Sequence, residues 1–312
     1  ILLVPHQNPD GDTLSSVCAF MQYLRFYSKN HTAFCSTRIS ESLNFLPHVE
    51  YVTVDPTIFD RHKFDTVCTF DAGDIDYAGV GKFLRALNYK PVVINFDHHI
   101  SNKRFGQMNI VDVDASSTTM VLYNFFTRVG VAIDKHTATC LLTGLMTDTE
   151  TFMNGATKAS TLSVGSALVR LGANFNGIKQ RILKDKSLSG LRFWGIILSR
   201  LYHVPRRSVA VTYSLELDKL EHPSTDDDLD GVSNFIKLIN DADMVIFLKE
   251  FRAVDGALCV KGSMRTTLDT VDVSKIAVSL GGGGHKKAAG FTVPGKIVER
   301  TKHGDIIFEP FV

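Results

Sequence analysis

Residues 1–12 read Ile1-Leu2-Leu3-Val4-Pro5-His6-Gln7-Asn8-Pro9-Asp10-Gly11-Asp12. The apolar run Ile1–Val4 has the character of a buried strand. Asn8-Pro9 and Gly11 are turn residues that fold the chain back. Leu14, Val17, Cys18, Met21 and Leu24 then recur at helical spacing, which predicts a helix over 13–28. The same alternation continues downstream. Strands are predicted at Tyr51–Val54, Thr66–Phe70 and Pro91–Phe96, and helical stretches at 76–87, 116–129 and 135–147. Such βαβ repetition predicts an α/β fold with a mostly parallel sheet covered on both faces. Ligands bind these sheets beyond the carboxyl ends of the strands, and three of the predicted strands end in acid or histidine clusters.

Working outward, the chain of 312 residues is about twice a typical domain of roughly 150 residues, so two domains are expected. Consecutive helices are predicted over 157–202, the last at Leu188–Tyr202. Pro205-Arg206-Arg207 interrupts, and strands resume at Ser208–Tyr213, Asp243–Lys249 and Ala257–Met264. The boundary therefore falls between 186 and 206, giving a first domain over 1–186, a linker over 187–205 and a second domain over 206–312. Asp226–Asp228 reads as a helix start, since acids suit the positive end of the helix dipole.

Hydrophobic residues make up 44% and charged residues 21%, a globular composition that excludes disorder and fibres. A net charge of +1 argues against a protein that coats long nucleic acid. Five scattered cysteines without a CxxC pair suggest reduced thiols and a cytoplasmic location. The apolar stretches are shorter than the roughly 20 residues that span a bilayer, and no signal peptide is visible, so no membrane partner is expected.

The candidate chemistry lies in four clusters. His6, Asp10 and Asp12 follow the first strand. Asp71-Ala72-Gly73-Asp74 follows Thr66–Phe70, and Asp97-His98-His99 ends the run that begins at Pro91. Thr147-Asp148-Thr149 closes a helical run. Taken singly, each has a plain alternative as a helix cap or turn. Gathered at one sheet edge, Asp10, Asp12, Asp71 and Asp148 would carry a charge of −4 and repel without compensation. Two divalent cations would supply +4, with His6 and His98 completing the shells. Such pairs of ions, about 3.5–4 Å apart, activate water for attack on phosphorus.

A fifth cluster lies near the carboxyl end: Arg265, then Gly281-Gly282-Gly283-Gly284-His285-Lys286-Lys287-Ala288-Ala289-Gly290, after a predicted helix at Val273–Ser279. Consecutive glycines suit backbone amides that approach an anion closely. The plain alternative is a glycine turn followed by a solvated lysine pair. No GxxxxGK[ST] loop or dinucleotide fingerprint exists, and Gly79-Val80-Gly81-Lys82 only imitates the end of a phosphate loop.

Together, HxxxDxD at 6–12, Asp71, Asp97-His98-His99 and Asp148 resemble the four motifs of the DHH phosphoesterases, and GGGGHxxAAG at 281–290 resembles the DHH-associated C-terminal domain of the nanoRNase and pAp-phosphatase branch. The resemblance covers nearly the whole chain. It implies an active site in a cleft between a larger catalytic and a smaller substrate-binding α/β domain. It implies that His6 and Asp10 hold one manganese ion, that Asp12, His98 and Asp148 hold a second, and that Asp71 bridges both. By the same resemblance His98 and Asp71 belong to the catalytic set, and His99 orients or neutralises the scissile phosphate. Asp97 would fix a histidine ring, since ligating imidazoles need their other nitrogen hydrogen-bonded. Arg265, Gly282, Gly283, Gly284 and His285 would contact the substrate. Glu150 stands where the family usually has glycine, and Ser15 replaces another common glycine.

The implied activity is hydrolysis of RNA of about two to five nucleotides to nucleoside 5′-monophosphates, with removal of the 3′-phosphate of pAp as a companion. Small nucleotides are thus the expected partners, and a homodimer is left open. The rivals are a cyclic- or linear-dinucleotide phosphodiesterase, a long-strand exonuclease, a pyrophosphatase or exopolyphosphatase, and a nucleotide-binding module without catalysis. The sequence offers no identifiable aromatic pair for base stacking: Phe251 and Phe291 read as core residues.

Overall fold

The structure is a computed structural model, and it describes residues 1–183, 187–221, 229, 231–253, 255–299 and 306–309. The chain divides into two compact units, Ile1–Lys184 and Asp185–Val312. The predicted helix start at Asp226–Asp228 lies outside the described residues.

The first unit runs β1 (Leu2–Pro5), α1 (Gly11–Phe26), β2 (Thr32–Phe34), β3 (Val52–Thr53), α2 (Ile58–Arg61), β4 (Thr66–Phe70), α3 (Gly81–Ala86), β5 (Val92–Asp97), β6 (Met108–Val111), α4 (Thr118–Arg128), α5 (Lys135–Asp148), α6 (Ala159–Arg170) and α7 (Phe175–Leu183). Its six strands are ordered β3-β2-β1-β4-β5-β6, and every pairing is parallel. Strand order reverses at β1 and β4, the switch point at which doubly wound sheets bind ligands. Successive side chains of β1 serve opposite faces. Leu3 joins Leu14, Val17, Met21, Phe70 and Leu141 under α1, α4 and α5, whereas Leu2 and Val4 pack with Phe34, Phe64 and Val67 on the other face.

Several local expectations differ from the outcome. The short strands β2 and β6 were not foreseen, and the strand predicted at Tyr51–Val54 contracts to Val52–Thr53. The helix predicted over 76–87 is only Gly81–Ala86. Its first part is a turn, in which Asp74 accepts from the backbone N–H groups of Asp76 and Tyr77, and Gly79 takes a left-handed φ of 74°.

The second unit runs α8 (Leu188–Ser199), β7 (Tyr202–Val204), β8 (Val209–Ser214), α9 (Asp218–Glu221), α10 (Val232–Ile236), β9 (Met244–Arg252), β10 (Leu258–Arg265), α11 (Val273–Ser279), β11 (Gly283–His285), β12 (Ala288–Pro294), β13 (Lys296–Glu299) and β14 (Ile306–Glu309). Its main sheet, ordered β11-β12-β10-β9-β8-β7, is mixed: β8 and β9 are parallel and the other neighbours antiparallel. Phe193 and Ile197 of α8 pack with Val232, Ile236, Val245 and Phe247. No helix among the described residues is long and apolar enough to cross a membrane.

Candidate metal centre

Three adjacent parallel strands deliver the candidate ligands to one sheet edge. His6 follows β1, Asp71 follows β4, and Asp97 ends β5. Asp10 is the N-cap of α1, accepting from Asp12 N and Thr13 N at 3.0 Å each. Asp10 therefore fills the capping role and also lies 3.8 Å from His6 Nε2. Thr13 ties β1 to β4: its hydroxyl accepts from His6 N at 3.1 Å and donates to Phe70 O at 3.0 Å.

Asp71 is the hub. It leaves β4 in the left-handed region, φ 57°, a conformation that aspartate tolerates better than most residues. Its carboxylate lies 3.5 Å from His6 Nε2, 3.6 Å from His98 Nε2 and 3.5 Å from His99 Nδ1, and accepts from Thr118 Oγ1 at 2.8 Å. Asp12, in the first turn of α1, reaches the amino end of α4. It accepts from Thr118 N at 2.6 Å, Thr119 N at 3.0 Å and Thr119 Oγ1 at 2.8 Å. A helix N-terminus is a natural seat for a carboxylate. Asp148, the last residue of α5, lies 3.3 Å from His98 Nε2.

Three sets of side chains thus bring one donor atom each within 4.8 Å of one another: His6, Asp10 and Asp71; Asp12, His98 and Asp148; and Asp71, His98 and His99. Asp71 and His98 are each shared between two sets. The donors fit divalent cations: carboxylates and imidazoles suit hard to borderline metals. His98 Nε2 is buried and lacks a hydrogen-bond partner, while His98 Nδ1 faces Ala115 O at 3.3 Å. A neutral imidazole that spends Nδ1–H on a carbonyl presents a lone pair at Nε2, the donor a metal takes.

The electrostatics agree with that fit. Burial together with the nearby Asp12, Asp71 and Asp10 carboxylates pushes Asp148 up to about 10. Burial and the Asp71 and Asp10 charges raise Asp12 as well. Burial opposes charge on His6, but its hydrogen bonds with Asp10 and Asp71 prevail and raise it to about 11. Burial lowers His98, keeping it neutral. Protons occupy the place of positive charge here, and divalent cations would displace them.

Asp97 is fully buried and accepts from His98 N at 2.8 Å, His99 N at 3.2 Å, His99 Nδ1 at 2.8 Å and the side chain of Asn102. Its bond to His99 is the main reason that His99 is raised to about 9. Asn102 also donates to Asn95 Oδ1, and Asn95 donates to Thr69 Oγ1. Thr13, Thr118, Thr119, Asn95 and Asn102 were all missed from sequence. The hydroxyl-rich run Ser116-Ser117-Thr118-Thr119 was the available signal. Tyr77, half exposed with its ring centroid 5.0 Å from that of His6, is an aromatic the sequence did not reveal. Asp74 stays outside the cluster, paired with Lys103 at 3.1 Å.

In the second unit, Arg265, Ala288 and His285 occupy one row across β10, β12 and β11. Arg265 donates through Nε to Asn234 Oδ1 at 2.9 Å. Of the glycine run, Gly283 and Gly284 lie in the edge strand β11, and Gly281 and Gly282 precede it. A Cβ on Gly282 would stand 2.1 Å from Gly290 O, and one on Gly284 would stand 2.5 Å from Ala289 Cα. Gly282 N donates to Ala277 O at 2.8 Å, so this amide is committed to the fold, which corrects the expectation that it would cradle an anion. Phe291 lies over Gly262, in keeping with its core reading.

Residues 1–145 match the DHH family, N-terminal domain, and residues 208–302 match the DHHA1 domain. The chain is similar to the bifunctional oligoribonuclease and PAP phosphatase NrnA of Thermus thermophilus, with 29% identity over 95% of this chain and 84% of the relative. It is also similar to the NrnA of Bacillus subtilis, with 24% identity over 64% and 63% of the two chains. The crystal structure of an exopolyphosphatase-related protein from Bacteroides fragilis superposes with a TM-score of 0.83 at 22% identity, covering 93% of this chain and 86% of that one. That likeness concerns the fold.

Proposed function

We propose that this chain, a member of the DHH family of phosphoesterases in which a DHH domain is followed by a DHHA1 domain, hydrolyses RNA of about two to five nucleotides to nucleoside 5′-monophosphates, and removes the 3′-phosphate of pAp. The observation that carries the reading is the convergence of two ligand sets, His6, Asp10 and Asp71 with Asp12, His98 and Asp148, in which His98 Nε2 is buried without a hydrogen bond. The similarity to the oligoribonuclease and PAP phosphatase of Thermus thermophilus supports the substrate class.

In this reading His6 and Asp10 hold one divalent cation, Asp12, His98 and Asp148 hold another, and Asp71 serves both, with manganese among the metals that suit such donors. Bound cations supply Lewis acidity and offset the carboxylate charge. The amino end of α4 holds Asp12 in place through Thr118 N and Thr119 N. His99, kept protonated by Asp97 to about pH 9, donates to a phosphate oxygen as negative charge builds on it. Arg265, Gly283, Gly284 and His285 are the proposed contacts for the rest of the substrate, and Asp97 acts only by orienting His99.

The test is a chain-length profile with manganese, using RNAs of 2, 3, 5, 7 and 24 nucleotides beside pAp, a cyclic dinucleotide and pyrophosphate. Fast cleavage of the 2-mer, falling steeply with length, and loss of all turnover in a folded Asp71→Ala variant are expected. Flat activity to 24 nucleotides, or turnover of pyrophosphate alone, overturns the substrate. An active Asp71→Ala variant overturns the shared-ligand scheme.

A further inference from the structure

The first unit holds a concavity of about 490 Å³ at the end of α5 opposite Asp148. At about 1.5 Å per residue, the two ends of this helix stand about 20 Å apart, which separates the pocket from the metal centre. Its volume falls within the roughly 300–1,000 Å³ of small-molecule sites. We propose that this pocket binds a nucleoside monophosphate, with the phosphate held by Lys135, His136 and Arg181 and the base laid against Phe45 and Ile178.

Two observations carry the proposal. First, Lys135, His136 and Arg181 all line the pocket, and among the described residues no Asp or Glu does. Neither Lys135 nor Arg181 makes an ion pair among the described residues. Asp134, beside Lys135 in sequence, is engaged as the α5 N-cap, accepting from Thr137 N at 2.8 Å and Gln22 Nε2 at 3.2 Å, and its charge also acts on His136. Two cations and an imidazole in a cavity that no carboxylate among the described residues lines suit an anion of more than one charge.

Second, part of the lining is apolar, formed by Phe45, Pro47 and Ile178. Inorganic phosphate would leave that part unused, and an uncharged nucleoside would leave the cations unopposed. A phosphate joined to a flat heterocycle satisfies both.

The ligand class comes from the lining alone and does not depend on which substrate the metal centre hydrolyses. The test is equilibrium dialysis of radiolabelled adenosine monophosphate against the full chain in excess EDTA, which separates this site from metal-dependent binding. One site is expected, competed at least tenfold more weakly by adenosine or inorganic phosphate than by unlabelled ligand. The double variant Lys135→Gln, Arg181→Gln should bind at least tenfold more weakly with unchanged circular dichroism and melting temperature. Phe45→Ala should weaken the nucleotide while leaving competition by phosphate unchanged. Absence of binding in EDTA, unchanged affinity in the double variant, or phosphate competing as well as the nucleotide overturns the proposal.

Discussion

Gly144→Ala is the perturbation that most directly connects packing to the metal centre. Gly144 lies in α5 where that helix passes Asp12 and the start of α4. A Cβ there would stand 2.4 Å from Thr119 Cγ2, 2.5 Å from Asp12 Oδ1 and 2.6 Å from Thr119 Oγ1. Ordinary contacts begin near 3.4 Å, so each neighbour is too close by about 1 Å. Asp12 cannot yield cheaply, since both of its carboxylate oxygens accept from backbone amides of α4. In an unobstructed helix, Gly→Ala gains about 1 kcal/mol. Overpacking a tight interior costs about 1–3 kcal/mol, leaving a net loss of up to ~2 kcal/mol. For a unit of this size that lowers the melting temperature by up to ~8 °C. Activity should suffer more, because a displacement near 1 Å in a carboxylate proposed as a metal ligand costs ~100-fold in rate. Gly195 in α8 is the control, since a Cβ there meets nothing within 4 Å. Initial rates on a dinucleotide with manganese, beside thermal melts, read both effects. If Gly144→Ala proves as stable and as active as Gly195→Ala, the close approach of α5 to Asp12 is not what positions that carboxylate.

Two further outcomes follow from the electrostatics. Without metal, Asp148 titrates near 10 against 3.8 for a free carboxyl, and His6 near 11 against 6.5. Both groups bind more protons folded than unfolded as pH rises through neutrality, so linkage makes stability fall with pH. The melting temperature in EDTA should therefore drop from pH 6 to pH 9, and manganese should reverse the drop with release of protons. A flat or rising melt in EDTA, with proton-neutral metal binding, contradicts the arrangement. Asp97→Asn removes the charge that holds His99 near 9, so the variant should lose activity as His99 deprotonates above about pH 6.5, while the wild type keeps that limb to about pH 9. Superimposable pH–rate profiles would show that Asp97 does not act through His99.

The strand–turn–helix unit at 1–26 was legible from residue spacing, because β1, the Asn8-Pro9 turn and the apolar stripe of α1 are all local features. The acids at the ends of β1 and β4 were legible for the same reason, once parallel strands were expected to share an edge. The strands β2 and β6, of three and four residues, were too short to show a period. Gly282 was read from sequence as a ligand-facing amide, yet the close approach of Gly290 O accounts for it, and β12 supplies that neighbour. Likewise Asp12 meets Thr118 and Thr119 from more than 100 residues away. The donor types at the metal centre were thus set by short-range chemistry written along the chain. Which oxygen faces which nitrogen, and which glycine is obligatory, came only from packing, because those contacts join segments that no local periodicity relates.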